Sequence, residues 1–152
     1  MIEIEEMQEA DAREALGRIG YAHLACCREN IPYVVPVHYA FDGEDLFVYT
    51  TDGKKAEIIR ENPEICLQAE EVQDNEHWTS VMVTGQAVQI ADEAERESAV
   101  EKVLKVNPKL TPAVSIRWMD NWVRENIEVV LHIKPRLVTG RRTVARTRPA
   151  KQ

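Results

Sequence analysis

Two extended runs joined by Asp42-Gly43 constrain this chain more than any other feature. From Ile31 to Phe41, the residues Tyr33, Val35, Val37, Tyr39 and Phe41 alternate with Val34, Pro36, His38 and Ala40. That period of two is the mark of a strand with two different faces. Asp-Gly is a strong tight-turn signal, and Leu46-Phe47-Val48-Tyr49-Thr50 supplies the returning strand. The pair predicts an antiparallel hairpin, and an antiparallel sheet is hard to reconcile with a parallel nucleotide-binding fold.

The rest of the chain agrees. Residues 8–19 read as a short amphipathic helix with Ala12, Ala15, Leu16 and Ile19 at helical spacing, its end weakened by Gly17 and Gly20. Tyr21–Cys27, Ile65–Val72, Ser80–Ile90 and Val129–Thr139 read as further strands, with a polar loop at Asp74–His77. A helix is expected over Lys54–Glu61, stopped by Asn62-Pro63. Another opens at Asp92, with Glu95 as the second half of a capping box, and ends at Asn107-Pro108. Residues 112–126, which carry Trp118 and Trp122, are expected to be helical. There is no regular βαβ alternation and no Gly-x-Gly-x-x-Gly. The expected fold is mainly β, a six-stranded antiparallel barrel with flanking helices, which leaves few open edges. The expected domain covers residues 1–142, with 143–152 as a basic tail.

Charge and composition narrow the function. A net charge of −7 over 152 residues argues against a general nucleic-acid binder. Five cations and no carboxylate lie from Arg141 onward (Arg141, Arg142, Arg146, Arg148, Lys151), the pattern of a solvated terminus, with docking to an acidic partner or anionic ligand as the alternative. The acidic opening Met1–Glu6 is unlike a secretory leader and no apolar run is long enough to span a bilayer, so a cytoplasmic location is expected. Three cysteines make no disulfide framework, and the four histidines have no metal-ligand spacing. Without a Gly-x-Ser-x-Gly elbow, an esterase has no nucleophile.

Three segments can carry chemistry. In Tyr49-Thr50-Thr51-Asp52-Gly53-Lys54-Lys55 a strand enters a glycine turn and the next helix begins with two lysines. Cations there oppose the helix macrodipole, and an anion would relieve the conflict. Thr50, Thr51, the Gly53 backbone, Lys54 and Lys55 are thus a candidate phosphate cradle, the alternative being that Asp52 and Glu57 offset the lysines locally. In the second segment Pro36 forfeits a ladder hydrogen bond in mid-strand, which implies an edge or bulge where backbone groups meet a ligand. His38 is on the same face and is a candidate hydrogen-bonding group or general acid, or a histidine satisfied by backbone or water. Third, Trp78-Thr79-Ser80-Val81 offers a flat wall and hydroxyl donors, or simple packing.

Together these segments resemble the pyridoxamine 5′-phosphate oxidase-like family of flavin mononucleotide-binding split β-barrels, in its nitroimidazole-resistance-type branch. The similar pattern runs from Gly17–Leu24 through Pro32–Phe41, Tyr49–Lys55, Asn62-Pro63 and Trp78–Gly85 to Ile133 and Val138–Arg142. The resemblance implies a homodimer with each flavin in a groove between subunits. It implies that Lys54, Lys55 and Thr50, with Tyr49 and Thr51, hold the flavin phosphate. Backbone around Pro36, Val37, His38 and Tyr39 and around Thr79, Ser80 and Val81 would meet the isoalloxazine ring, with Val37 and Trp78 lining its face. His38 or Tyr39 is the candidate proton donor, and a reduced nicotinamide, NAD(P)H, the expected electron donor for a small oxidant such as a nitroaromatic. Phe41 stands where true pyridoxamine phosphate oxidases carry a lysine, and their C-terminal arginine–histidine motif is missing, so that oxidation is not expected. Flavin or haem carriage without turnover, and a deazaflavin-dependent reductase, are the alternatives.

Overall fold

The alternating runs fold as antiparallel strands in a computed structural model that describes residues 1–51, 53–107 and 128–146. The elements are β1 (Ile2–Glu6), α1 (Glu9–Ile19), β2 (Tyr21–Arg28), β3 (Ile31–Phe41), β4 (Leu46–Thr51), α2 (Lys54–Glu61), β5 (Glu64–Asp74), β6 (His77–Gln89), α3 (Glu93–Val106) and β7 (Glu128–Ala145). The sheet runs β1-β7-β4-β3-β2-β5-β6 and closes through a β6–β7 pairing. The closed part therefore holds the six expected strands, and β1 is an addition that sequence reasoning missed.

The length of β7 makes both arrangements possible. Its first residues pair with β4 on one side (Leu131↔Val48) and with β6 on the other (Leu131↔Gln89). Beyond the reach of β4, β1 takes over that side, from Glu6↔Arg141 to Ile2↔Ala145. The last strand thus runs past both expected ends, Thr139 and Arg142. Residues 143–145 are strand rather than tail, and Arg142 and Arg146 are paired with the acids of the N-terminus: Arg142 with Glu5 and Asp11, Arg146 with Glu3 and Glu5. The expected polar loop at Asp74–His77 is a tight turn closed by Asp74 Oδ1, which accepts from the Glu76 amide. The helix expected over 112–126, with Trp118 and Trp122, lies outside the described residues, as do Asp52, Arg148 and Lys151.

The core follows from the period-two patterns. Leu24, Val37, Tyr39, Leu46, Val48, Leu67, Val81, Val83, Leu131 and Ile133 point into the barrel and are fully or almost fully buried. α1 closes over this core with Ala12, Ala15 and Leu16 and stops at Gly20, whose φ of +82° suits a residue without a side chain. α3 begins with the expected cap, Asp92 Oδ2 accepting from the Glu95 amide at 3.0 Å. Its Ala99 and Val103 cover Ala40, Tyr49 and Val130 on the outer surface of β3, β4 and β7, a second apolar layer.

Candidate functional site

At the β4–α2 corner the N-cap is Gly53, which has no side chain with which to cap the helix. Glu57, the acid of the first turn, accepts a hydrogen bond from Arg28 of β2 at 3.0 Å. The local offset considered for the lysines therefore falls away on the Glu57 side. Lys54 is exposed, with its ammonium 5.3 Å from the centre of the Tyr33 ring. Lys55 is 9% exposed, and its charge lowers the Cys26 thiol, which burial and Cys27 push up. Four residues before Lys54, Thr50 is 2% exposed. Among the described residues its Oγ1 is the one buried side-chain polar atom with no hydrogen-bond partner. An unmade bond at such an atom costs roughly 1–3 kcal/mol. An orphan hydroxyl followed by two lysines at a helix start is a donor set suited to a phosphate.

The β3 segment is built as its proline demanded. Its register with β2 is unbroken from Arg28↔Ile31 to Tyr21↔His38, whereas pairing with β4 begins only at His38↔Tyr49. Pro36 thus sits where β3 is paired on one side alone, an edge rather than a bulge. Side chains divide by face. Pro36 is exposed on the outer surface, and His38 is on the same face but 1% exposed beneath the end of α3. Tyr49, opposite it, is buried in the layer under α3.

Tyr39 corrects an expectation. It points into the barrel, donates its hydroxyl to the Leu16 carbonyl at 2.6 Å and is fully buried. Burial raises its hydroxyl well above the ordinary phenol range. It is a core residue that ties β3 to α1, not a proton donor to a ligand. Val37 and Val81 are also fully buried inside the barrel, so their side chains cannot line a ring, and only their backbone is placed to meet one.

The β6 segment opens onto a groove of about 640 Å³ that contains Trp78, Ser80, Gln68, Met82, Thr139 and Arg141. Gln68 Nε2 donates to Ser80 Oγ at 3.0 Å, and the Trp78 amide donates to Thr143 Oγ1 at 3.0 Å. Thr79 points to the other face, beside Glu71 and Arg142. Val37 and Val81 lie in one row across four strands, with Ala22 and Ala69 between them. At about 4.8 Å per strand, the segments expected to share one ring are about 14 Å apart in a single protomer.

Sequence reasoning missed Gln68 and the second role of Asn107, and it took Arg141 as the start of a basic tail rather than as part of this groove. The places of Gln68 and Arg141 follow from the register, since Gln68 and Met82 are partners, as are Ser80 and Arg141. Asn107 was read as a helix stop; it is also buried, with its Oδ1 2.8 Å from His38 Nδ1. Among the described residues no histidine, cysteine and carboxylate cluster could hold a metal, and no helix is long and apolar enough to cross a membrane.

Comparison with known proteins places this geometry in context. The family model described as pyridoxamine 5′-phosphate oxidase matches residues 8–142. A FAD-binding protein from Mesorhizobium loti shares 26% identity with a TM-score of 0.74, over 95% of this chain and 100% of its own. A candidate 5-nitroimidazole antibiotic resistance protein from Bacteroides thetaiotaomicron shares the fold at 16% identity and a TM-score of 0.68, over 96% and 93% of the two chains. An uncharacterised protein of Rhizobium meliloti is 45% identical over 64 residues, 42% of this chain and 42% of its own length. The match thus spans less than half of that relative.

Proposed function

Because the chain belongs to the pyridoxamine 5′-phosphate oxidase-like family, we propose that it binds flavin mononucleotide as a homodimer and passes electrons from a reduced nicotinamide to a small organic oxidant. The observation that carries the reading is the Thr50 hydroxyl, buried without a partner just ahead of Lys54 and Lys55. In this reading the two ammoniums neutralise the phosphate dianion and Thr50 donates to it, flanked by Tyr49 and Thr51. Backbone at Val37–Tyr39 and Thr79–Val81 meets the ring, and Trp78 walls its face. The bound flavin would supply the redox chemistry; the protein orients it, excludes water and manages a proton at His38.

Two features support a site shared between copies. The two ring-contacting segments are separated by two strands in one protomer. The outer surface that carries them also leaves Val34 61%, Met82 45% and Leu137 56% exposed, an apolar face of the kind that marks an interaction surface. Pyridoxamine phosphate is not the proposed substrate: Phe41 packs against the core and under Arg13 where a substrate-binding lysine would stand. Nitroaromatic compounds are the first oxidants to test.

The decisive experiment compares flavin mononucleotide with riboflavin, which lacks the phosphate. Lys54→Ala with Lys55→Ala should weaken the nucleotide by about tenfold or more, given the strength of bonds between charged partners, and riboflavin little. Equal losses for both ligands sink the assignment. Extraction and mass measurement of any co-purified chromophore separates flavin mononucleotide from FAD, the nucleotide named for the Mesorhizobium protein, and from deazaflavin or haem. Tight flavin with no oxidation of NAD(P)H would favour a carrier.

A further inference from the structure

We propose that Asn107 fixes His38 with a proton on Nδ1, which makes Nε2 the ring atom through which His38 gains or loses a proton. Asn107 is 8% exposed at the end of α3. Its Nδ2 donates to the Tyr39 carbonyl at 3.1 Å and to the Val103 carbonyl at 3.0 Å. Reversing the amide would set its oxygen against two carbonyl oxygens with no proton between them, so these two bonds decide which way it points. Oδ1 therefore faces His38 Nδ1 at 2.8 Å. An oxygen with no hydrogen can only accept, so Nδ1 must be the N–H. The assignment holds for the neutral ring and for the imidazolium, because Nδ1 carries a proton in both.

The surroundings are built to hold that amide. Gly20 packs against it with φ of +82°, and a Cβ there would stand 3.0 Å and 3.2 Å from its two polar atoms and 2.6 Å from Val106 Cγ1. The Tyr21 ring meets His38 edge-on at 5.5 Å between centroids. Three elements thus converge on one imidazole: the α1–β2 junction, β3 and the end of α3. Asn107 touches no ligand in this scheme; it is a positioning residue that acts through His38. The assignment deepens the flavin reading, and rests on it only for the reaction that the proton serves.

The test uses the full-length protein with His23, His77 and His132 replaced by Gln, so that the remaining imidazole signals belong to His38. Nitrogen-15 NMR near neutral pH should show the proton on Nδ1. Asn107→Ala should move most of the neutral ring to the Nε2–H form. A ring protonated on Nε2 alone in the parent, or one whose tautomer is unchanged in Asn107→Ala, overturns the proposal. Should Asn107→Ala fail to fold, the parent spectrum decides. Titration of the same sample with flavin mononucleotide is read separately: failure to bind sinks the cofactor reading, while the NMR still locates the proton.

Discussion

Arg28 Nη1 donates to Glu57 Oε1 at 3.0 Å and also lies 3.6 Å from Glu61, so β2 engages both of these α2 acids. The consequence falls on the start of the helix. Two lysines begin a helix whose N-terminus carries positive partial charge, and Glu57, one of the two acids considered as their local offset, is engaged by Arg28. A phosphate bound there would add the negative charge that a helix N-terminus and two ammoniums favour.

Thr50→Val tests this corner by separating stability from binding. Valine keeps the shape of threonine and removes a hydroxyl that is buried without a partner. Without flavin the variant should be more stable by about 1 kcal/mol, seen as a melting temperature about 2–4 °C higher. Affinity for flavin mononucleotide should fall about tenfold, the loss of one hydrogen bond to a charged group. A lower melting temperature in the flavin-free protein would mean that the hydroxyl is bonded, and the argument for a waiting ligand would fail.

The Arg18–Glu71 pair predicts a pH dependence. Its hydrogen bond from Arg18, then the guanidinium charge, holds the Glu71 carboxyl below its usual range, and Arg18 is raised in turn. A carboxylate whose folded pKa is depressed stabilises the fold above its unfolded value of about 4.3, and that contribution disappears as pH falls through the folded value. Both side chains are more than 40% exposed, so solvent screening limits the effect to below about 1 kcal/mol. The stability difference between the parent and Glu71→Gln should be constant near neutrality and shrink as pH drops from about 4. A difference that persists unchanged in acid would contradict the linkage.

Truncation after Arg142 asks whether the end of the chain is tail or strand. The cut removes the partners of Ile2, Glu3 and Ile4, the Thr143 hydroxyl that accepts from the Trp78 amide, and the Arg146 ion pairs with Glu3 and Glu5. Loss of several net hydrogen bonds should cost on the order of 2 kcal/mol, measurable by urea denaturation. Unchanged stability would show that these residues contribute nothing to the fold.

What could be read from the sequence depended on how local the signal was. The bounds of α2 and β3 follow from neighbours in the chain: alternation, Asp42-Gly43 and Asn62-Pro63. The same period of two places His38 and Tyr39 on opposite faces, so their side chains could not both face one ligand, and burial shows Tyr39 to be the core residue. β1 was invisible because Ile2–Glu6 is short and acidic, and its reason for being a strand lies in Arg142, 137 residues from Glu5. Asn107 beside proline announces a helix end. Its bond to His38 spans 69 residues, and no local pattern encodes it.

The sharing of the site between subunits can be tested by mixing two defective proteins. One carries Lys54→Ala and Lys55→Ala at the phosphate corner, the other Trp78→Ala and Ser80→Ala in the β6 groove. If each flavin takes its phosphate cradle from one subunit and its ring wall from the other, a mixed dimer has one site with both defects and one with neither. Denaturing and refolding the two proteins together in equal amounts makes half of the dimers mixed. Such a sample should bind tight flavin mononucleotide at about one quarter of its sites, while either protein alone binds none tightly. If each site is built within one chain, every site in every dimer keeps a defect and mixing restores nothing. Refolding of each protein alone, with its circular dichroism unchanged, guards against a variant that fails to fold, because both pairs of substitutions fall on exposed or half-buried side chains apart from Lys55.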